Sequence, residues 1–303
     1  MENIPYHIPV MLAQCIEGLQ INPSGVYVDV TFGGGGHSKA ILENLKNGKL
    51  AAFDQDADAA KNAKAIDDKQ LLFIPANFRY LTKYLRLNGI KQVDGILADL
   101  GVSSHQFDTA ERGFSIRFDA NLDMRMNQQT GLTAAEIVNT YSEADLHKIF
   151  GMYGEIKNAK SLAQQIIRNR SAKKIETIYE LKDGVRNLVK RGEENKYFAQ
   201  MFQALRIEVN DELTALQDFL TQTAEVLKPG GRLVVMSYHS LEDRLVKNFI
   251  GKGKFFGEAE KDFYGNEIKP FKSITRKPVE ADALEIAQNN RARSAKLRIA
   301  EKS

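Results

Sequence analysis

One cysteine, Cys15, stands alone in 303 residues, which excludes an internal disulfide and fits a reducing compartment. It lies among Leu12, Ile16 and Leu19 and reads as a small core residue rather than a nucleophile. No apolar run approaches a membrane span. Met1-Glu2-Asn3 is not basic and no signal-type stretch follows it, so a cytoplasmic protein with no membrane partner is expected. Internal repeats and low-complexity tracts are absent. His7, His37, His105, His147 and His239 are scattered without ligand spacing, so no metal is expected. A strong charge of one sign is lacking too. The 42 basic and 39 acidic side chains leave a net charge of +3, which permits nucleic-acid contact without requiring it. The excess begins late: residues 1–108 hold 10 basic and 12 acidic side chains, residues 109–210 hold 16 and 13.

The remaining composition, 43% apolar and 27% charged, is that of a globular protein, and the length suits about two domains or one with a large insertion. The first hundred residues alternate strand and helix signals. Strands are expected at Val26–Val30, Leu50–Phe53, Leu71–Ile74 and Val93–Ala98. Helices are expected at Val10–Leu19, opened by Pro9, and at Ser38–Leu45, Ala57–Ile66 and Phe78–Leu87. Such alternation predicts a doubly wound, mainly parallel α/β sheet with helices on both faces. From about 109 to 210 no convincing strand appears. Helical stripes and the capping pairs Ser142/Asp145 and Thr177/Glu180 replace them, and a helical stretch from Tyr197 to Leu227 ends at Pro229-Gly230-Gly231. Strand character resumes at Arg232–Ser237, followed by a helix with Ser240 and Asp243 as a capping box. The expected organisation is a discontinuous α/β domain, 1–108 and 211–303, with an inserted helical domain, 109–210.

Gly33-Gly-Gly-Gly36-His37 sits where the first strand turns into a helix, and Asp54 follows Gly33 by 21 residues, at the end of the second strand. Glycines there let backbone amides approach a ligand, and a carboxylate after strand two can hold ribose hydroxyls. A dinucleotide fingerprint fits poorly, because its third glycine position holds Ser38 or Lys39. S-adenosylmethionine sites place an acid in strand one, and Asp29 is such an acid. An unliganded glycine-rich turn is the alternative to both.

More specific motifs follow: Asp99-Leu-Gly-Val-Ser-Ser104, Arg112-Gly-Phe-Ser115, Leu122-Asp-Met-Arg-Met126, Phe202-Gln-Ala-Leu-Arg-Ile207, Val209-Asn-Asp-Glu-Leu213, His239-Ser-Leu-Glu-Asp-Arg244 and Arg291-Ala-Arg-Ser-Ala-Lys-Leu-Arg298. In this order they resemble the bacterial ribosomal RNA small-subunit methyltransferase H family, once called the MraW family, from His7-Ile-Pro-Val10 to the C-terminal segment. The resemblance implies a Rossmann-like class I methyltransferase fold with a helical insertion. It also implies S-adenosylmethionine as cofactor, and methylation of the exocyclic N4 amine of a cytosine in the decoding region of 16S ribosomal RNA within the 30S particle. The cofactor contacts it implies are Gly35, Gly36, His37, Asp54, Phe78, Asp99 and Gln106. This chain departs from the family pattern at Gln14, usually an acid, and at Asp119-Ala-Asn121, usually Asp-Gly-Pro. It departs again at Tyr238, usually phenylalanine, and at Asn290, usually proline.

A cytosine amine is a poor nucleophile because its lone pair is delocalised into the ring. A hydrogen-bond acceptor at the end of strand four would favour charge on that nitrogen as it attacks, and Asp99 is the catalytic candidate; a purely cofactor-binding Asp99 is equally compatible. The candidate RNA contacts are Arg112, Phe114, Arg117 and Arg125, with Arg291 and Arg293 in a basic C-terminal tail; ordinary loop packing is the competing role for each. Arg206, amid Phe202, Leu205 and Ile207, suits anchoring a buried carboxylate better than RNA. A non-catalytic RNA-binding ribosome-assembly factor and a nicotinamide oxidoreductase are the competing functions, and a homodimer stays open.

Overall fold

The computed structural model describes residues 9–303, so His7 and Ile8 of the first motif lie outside the described residues. The chain divides into two compact units. One runs to Gly101 and resumes at Leu213; the other is Val102–Glu212.

The first unit is built on strands β1 (Val26–Asp29), β2 (Lys49–Phe53), β3 (Leu71–Ile74), β4 (Val93–Asp99), β5 (Leu227–Ser237), β6 (Phe271–Ser273) and β7 (Lys296–Lys302). They form one sheet in the order β3-β2-β1-β4-β5-β7-β6. The first five run parallel and β7 lies antiparallel between β5 and β6. Burial on both faces explains the apolar strand sequences: Leu50, Ala51, Ala52 and Phe53 are all fully buried. One face packs Val28, Phe53 and Ile96 against Leu216, Phe219, Val246 and Phe249 of α11 (Glu212–Val226) and α12 (Ser240–Lys252). The other packs Tyr27, Leu50 and Leu97 against Met11, Cys15, Leu19 and Ile41 of α1 (Leu12–Leu19), its cap and α2 (Gly36–Glu43). Burial pushes the Cys15 thiol well above its ordinary pKa, as suits a core residue.

Two local expectations fail. β5 begins at Leu227 and runs straight through Pro229-Gly230-Gly231, with a register shift against β4 between Val93 and Gly95. The helical stretch expected over 197–227 is present as two helices, α10 (Glu194–Asn210) and α11, separated at Asp211 in the left-handed region (φ 48°). Ser240 and Asp243 form no capping box, because Arg298 takes Asp243 in a two-point ion pair, with Nε 2.7 Å from Oδ1 and Nη2 3.1 Å from Oδ2. The C-terminal part of the supposed basic tail, with Lys296 and Arg298, is therefore β7, hydrogen-bonded into the sheet, and Arg291 and Arg293 precede it on a 3-10 turn.

The second unit is helical, with a core of its own drawn from Phe114 to Leu205. Its only strand-like feature among the described residues is an isolated bridge between Asn121 and Thr177. Arg206 pairs with Glu212, Nε to Oε1 at 2.8 Å and Nη2 to Oε2 at 3.0 Å, with both side chains largely buried, as its apolar neighbours predict. Among the described residues no helix is long and apolar enough to cross a membrane.

Candidate active site

Strand order reverses between β1 and β4, and in open parallel sheets ligands bind at the carboxyl ends of the strands flanking such a switch. Asp29 and Asp99 close those two strands. Asp29 is 1% exposed, and each of its oxygens accepts from the loop: Oδ2 from Ser38 Oγ at 2.7 Å, Oδ1 from Thr31 N at 3.0 Å. Burial raises its pKa, against the pull of His37 and Ser38. Asp29 thus orders the glycine loop from beneath.

The loop turns tightly. Gly35 caps α2 in the left-handed region (φ 79°), where a Cβ would also sit 2.8 Å from the Phe32 ring. A Cβ on Gly36 would meet Pro9 Cγ at 2.3 Å. Any side chain at either position displaces the helix entry. Gly33 N donates to Asp54 Oδ2 at 2.8 Å and Asp56 N to Asp54 Oδ1 at 2.9 Å, tying the loop to the end of β2. A carboxylate has about four acceptor sites, so Asp54 keeps one free on each oxygen. Burial pushes its pKa up to about 6, opposed by those two amides.

Asp99 is held on three sides. Its backbone N donates to Thr31 Oγ1 at 2.7 Å, and its Oδ1 accepts from the Tyr238 hydroxyl at 2.7 Å. Its Oδ2 lies 3.8 Å from His37 Nδ1. His37 Nε2 faces the Val10 carbonyl at 3.1 Å, which can only accept, so that nitrogen carries the proton. Burial pushes the Asp99 pKa up to about 6; His37 and Tyr238 lower it, while Asp29 and Glu242 raise it. Burial, then Asp99, drives the Tyr238 hydroxyl well above its ordinary pKa, so it stays a donor.

The structure brings Gly35, Gly36, His37, Asp54 and Asp99 to the carboxyl ends of β1, β2 and β4. Phe78 follows β3 on a short 3-10 turn and packs edge-on against Phe219 at 5.4 Å. Gln106 belongs to the second unit, where its Oε1 accepts from Ser103 N at 3.0 Å and closes a capping box. Of the basic candidates, Arg112 is buried and donates to the carbonyls of Arg125 and Met126, with Phe114 buried beneath it. Arg125 is clamped by both oxygens of Asp123. Arg117 keeps an exposed side chain beside Asp108. Arg291 is half-buried and Arg293 exposed on a 3-10 turn before β7. Sequence reasoning gave Tyr238 no role, although a polar ring after β5, the strand beside β4, was a usable signal. Thr31 went unnoticed, and Ser38 was read only as a misfit to the dinucleotide fingerprint, because short hydroxyl side chains in a glycine loop carry no pattern.

The MraW methylase family model matches residues 5–303. The chain is 62% identical over 297 residues to Ribosomal RNA small subunit methyltransferase H of Cytophaga hutchinsonii, covering 98% of this chain and 99% of that one. It is 58% identical over 298 residues to the protein of the same name in Flavobacterium johnsoniae, covering 98% of both. A crystallised putative methyltransferase of Streptococcus mutans in complex with SAH is similar at 13% identity and a TM-score of 0.46, over 98% of this chain and 100% of that one.

Proposed function

The chain belongs to the MraW methylase family, and from that premise we propose that it moves a methyl group from S-adenosylmethionine to the N4 amine of one cytosine in the decoding region of small-subunit ribosomal RNA. The observation that carries the chemistry is Asp99 at the sheet's switch point beside the glycine loop, its carboxylate oriented by the Tyr238 hydroxyl and its backbone N–H held by Thr31 Oγ1.

S-adenosylmethionine supplies an electrophilic methyl carbon on a sulfonium. The chain's residues fit that donor: Asp54 has free acceptor sites for ribose hydroxyls, and Gly35 and Gly36 leave no room for anything but backbone in the loop. Phe78 and Gln106 complete the proposed contacts. In-line transfer requires acceptor nitrogen and methyl carbon about 3 Å apart with water excluded. Asp99, ionised, accepts a hydrogen bond from the cytosine amine and favours the charge that grows on nitrogen during attack. The base must be unpaired or flipped for its amine to reach this point. Exposed Arg117 and Arg293 suit phosphate contact, whereas Arg112, Phe114 and Arg125 act by shaping the loop that carries them.

Calorimetry separates the readings: S-adenosylmethionine should bind and NAD should not, and the reverse, or binding of neither, would reject the proposal. Asp54→Ala leaves ribose hydroxyls unpaired and should cost about 1–3 kcal/mol of cofactor binding; unchanged affinity would remove Asp54 from the site.

The pH dependence follows from Asp99. Its folded pKa of about 6 lies above the ordinary 3.8, and the ionised form is the acceptor. Turnover at saturating cofactor should therefore rise about tenfold per pH unit below about 6 and level off above it. A flat profile between pH 5 and 8 would contradict an ionised Asp99 in the rate-limiting step.

A further inference from the structure

Between α12 and β6 the chain makes an excursion, residues 253–270, that the methyl-transfer site does not use. Among the described residues five large apolar side chains are at least 70% exposed, and three of them are aromatics of this excursion: Phe256 (70%), Phe263 (97%) and Tyr264 (86%). Phe263 and Tyr264 sit together at the tip of a small antiparallel hairpin, ring centroids 5.6 Å apart and nearly perpendicular. The tip is preformed: Asp262 accepts from the backbone N of Tyr264 and of Asn266, both at 2.9 Å. Two exposed rings on a rigid turn have no core to join.

The base of the excursion is fastened to the C-terminal half of α12. Asn248 Nδ2 donates to Phe255 O at 2.8 Å, Lys252 Nζ to Gly257 O at 3.1 Å, and Phe255 stacks on Phe249 at 5.0 Å. Asn248 and Lys252 also line a cavity of about 220 Å³ together with Lys247, Thr275, Arg276 and Arg298. No acidic side chain lines it. Arg298 spends two donors on Asp243; Lys247 and Arg276 are exposed and hold no ion pair among the described residues. From 244 to 277 the chain carries nine Lys and Arg against four Asp and Glu; the excess lies in the flanking segments 244–252 and 271–277 that carry the pocket, since 253–270 itself holds three Lys against four acids.

A cationic pocket suited to phosphate, sharing Asn248 and Lys252 with the base of a segment that exposes aromatic faces, is the chemistry of single-stranded nucleic-acid binding. We propose that this excursion and pocket form a second RNA-binding surface, which holds a single-stranded segment of the substrate with phosphate in the pocket and bases on Phe256, Phe263 and Tyr264. The inference rests on the reading that RNA is the substrate, and adds that the sheet-bearing unit grips it independently of the helical insertion. A basic aromatic surface also suits an anionic membrane. RNA is favoured because the aromatics stand on a preformed hairpin beside a pocket lined by cations, rather than on the apolar face of a helix.

The chain has no tryptophan, so Phe263→Trp installs a single reporter. Its emission should be quenched on titration with a single-stranded RNA oligonucleotide in the full-length protein, and not by vesicles of anionic phospholipid. Lys247→Glu with Arg276→Glu should raise KM for small ribosomal subunits about tenfold, leave kcat and cofactor affinity unchanged, and flatten the log–log salt dependence of RNA binding by about one or two. Phe263→Ala with Tyr264→Ala should weaken RNA binding about tenfold without changing that salt slope. An unquenched tryptophan, quenching by vesicles alone, or a wild-type KM in the charge-reversed protein would overturn the proposal while leaving the methyltransferase reading intact. Failure of the wild-type protein to methylate any subunit would strike that reading instead, and the quenching would still report on this surface.

Discussion

Asp99→Asn should lower the methyl-transfer turnover number by about two to three orders of magnitude, the loss expected for one preorganised electrostatic contact. Asparagine keeps the size of the side chain and still accepts from Tyr238, so the 2.7 Å contact that orients it survives. What it loses is the charge that stabilises the attacking nitrogen, and it gains a competing donor. Cofactor affinity should change far less. Equal losses in cofactor binding and rate would assign Asp99 to the cofactor alone, and a wild-type turnover number would remove it from the chemistry. The same substitution should stabilise the protein at pH 8. The Asp99 carboxyl has a folded pKa of about 6 against an ordinary 3.8, so between those values the folded state holds a proton that the unfolded state has released. Its stability therefore falls as pH rises through that window, by up to about 3 kcal/mol. Asparagine escapes this cost. Tm should rise by roughly 2–4 °C per kcal/mol recovered at pH 8, and by nothing at pH 4.

Replacing Val102–Glu212 by a short linker should abolish methylation of small subunits while leaving S-adenosylmethionine binding measurable. The helical unit owns its core: Leu205 packs with Phe198, Met201 and Phe202 of α10. The sheet's clusters draw on neither it nor any other residue of the insertion. Excision therefore removes no side chain from the sheet's core. It does remove Gln106, so cofactor affinity should fall without vanishing. Calorimetry on the excised protein and a labelled-methyl assay on subunits read the two halves separately. A folded excision product that still methylates subunits would reject the insertion as the substrate-presenting part.

The parallel half of the sheet was readable because strands buried on both faces are short apolar runs, and Leu50–Phe53 and Leu71–Ile74 can be little else. The glycine loop and Asp54 were readable because backbone approach demands glycine and the spacing to the second strand is set by one helix. Features that depend on partners far away in the chain were not readable. Tyr238 meets Asp99 across 139 residues, and no local pattern announces that contact. β7 was hidden by its own charges: Lys296, Arg298 and Lys302 suggest a solvated tail, although Leu297 and Ile299 alternate with them as an inserted strand requires. Pro229-Gly230-Gly231 reads as punctuation, yet the irregular register between β4 and β5 lets the strand pass through it. The tie from Asp29 to Thr31 and Ser38 was not readable either, because short hydroxyl side chains in a glycine loop carry no pattern.

The most direct test of the account is to incubate the purified protein with small ribosomal subunits from a strain lacking the enzyme and with methyl-labelled S-adenosylmethionine. The ribosomal RNA is then digested and the labelled nucleoside identified and mapped. The account predicts label in N4-methylcytidine at a single position of the decoding region, with the label lost when Asp99 is asparagine. Label on a ring carbon, on another base or on protein, or no transfer at all by a protein that binds the cofactor, would contradict it.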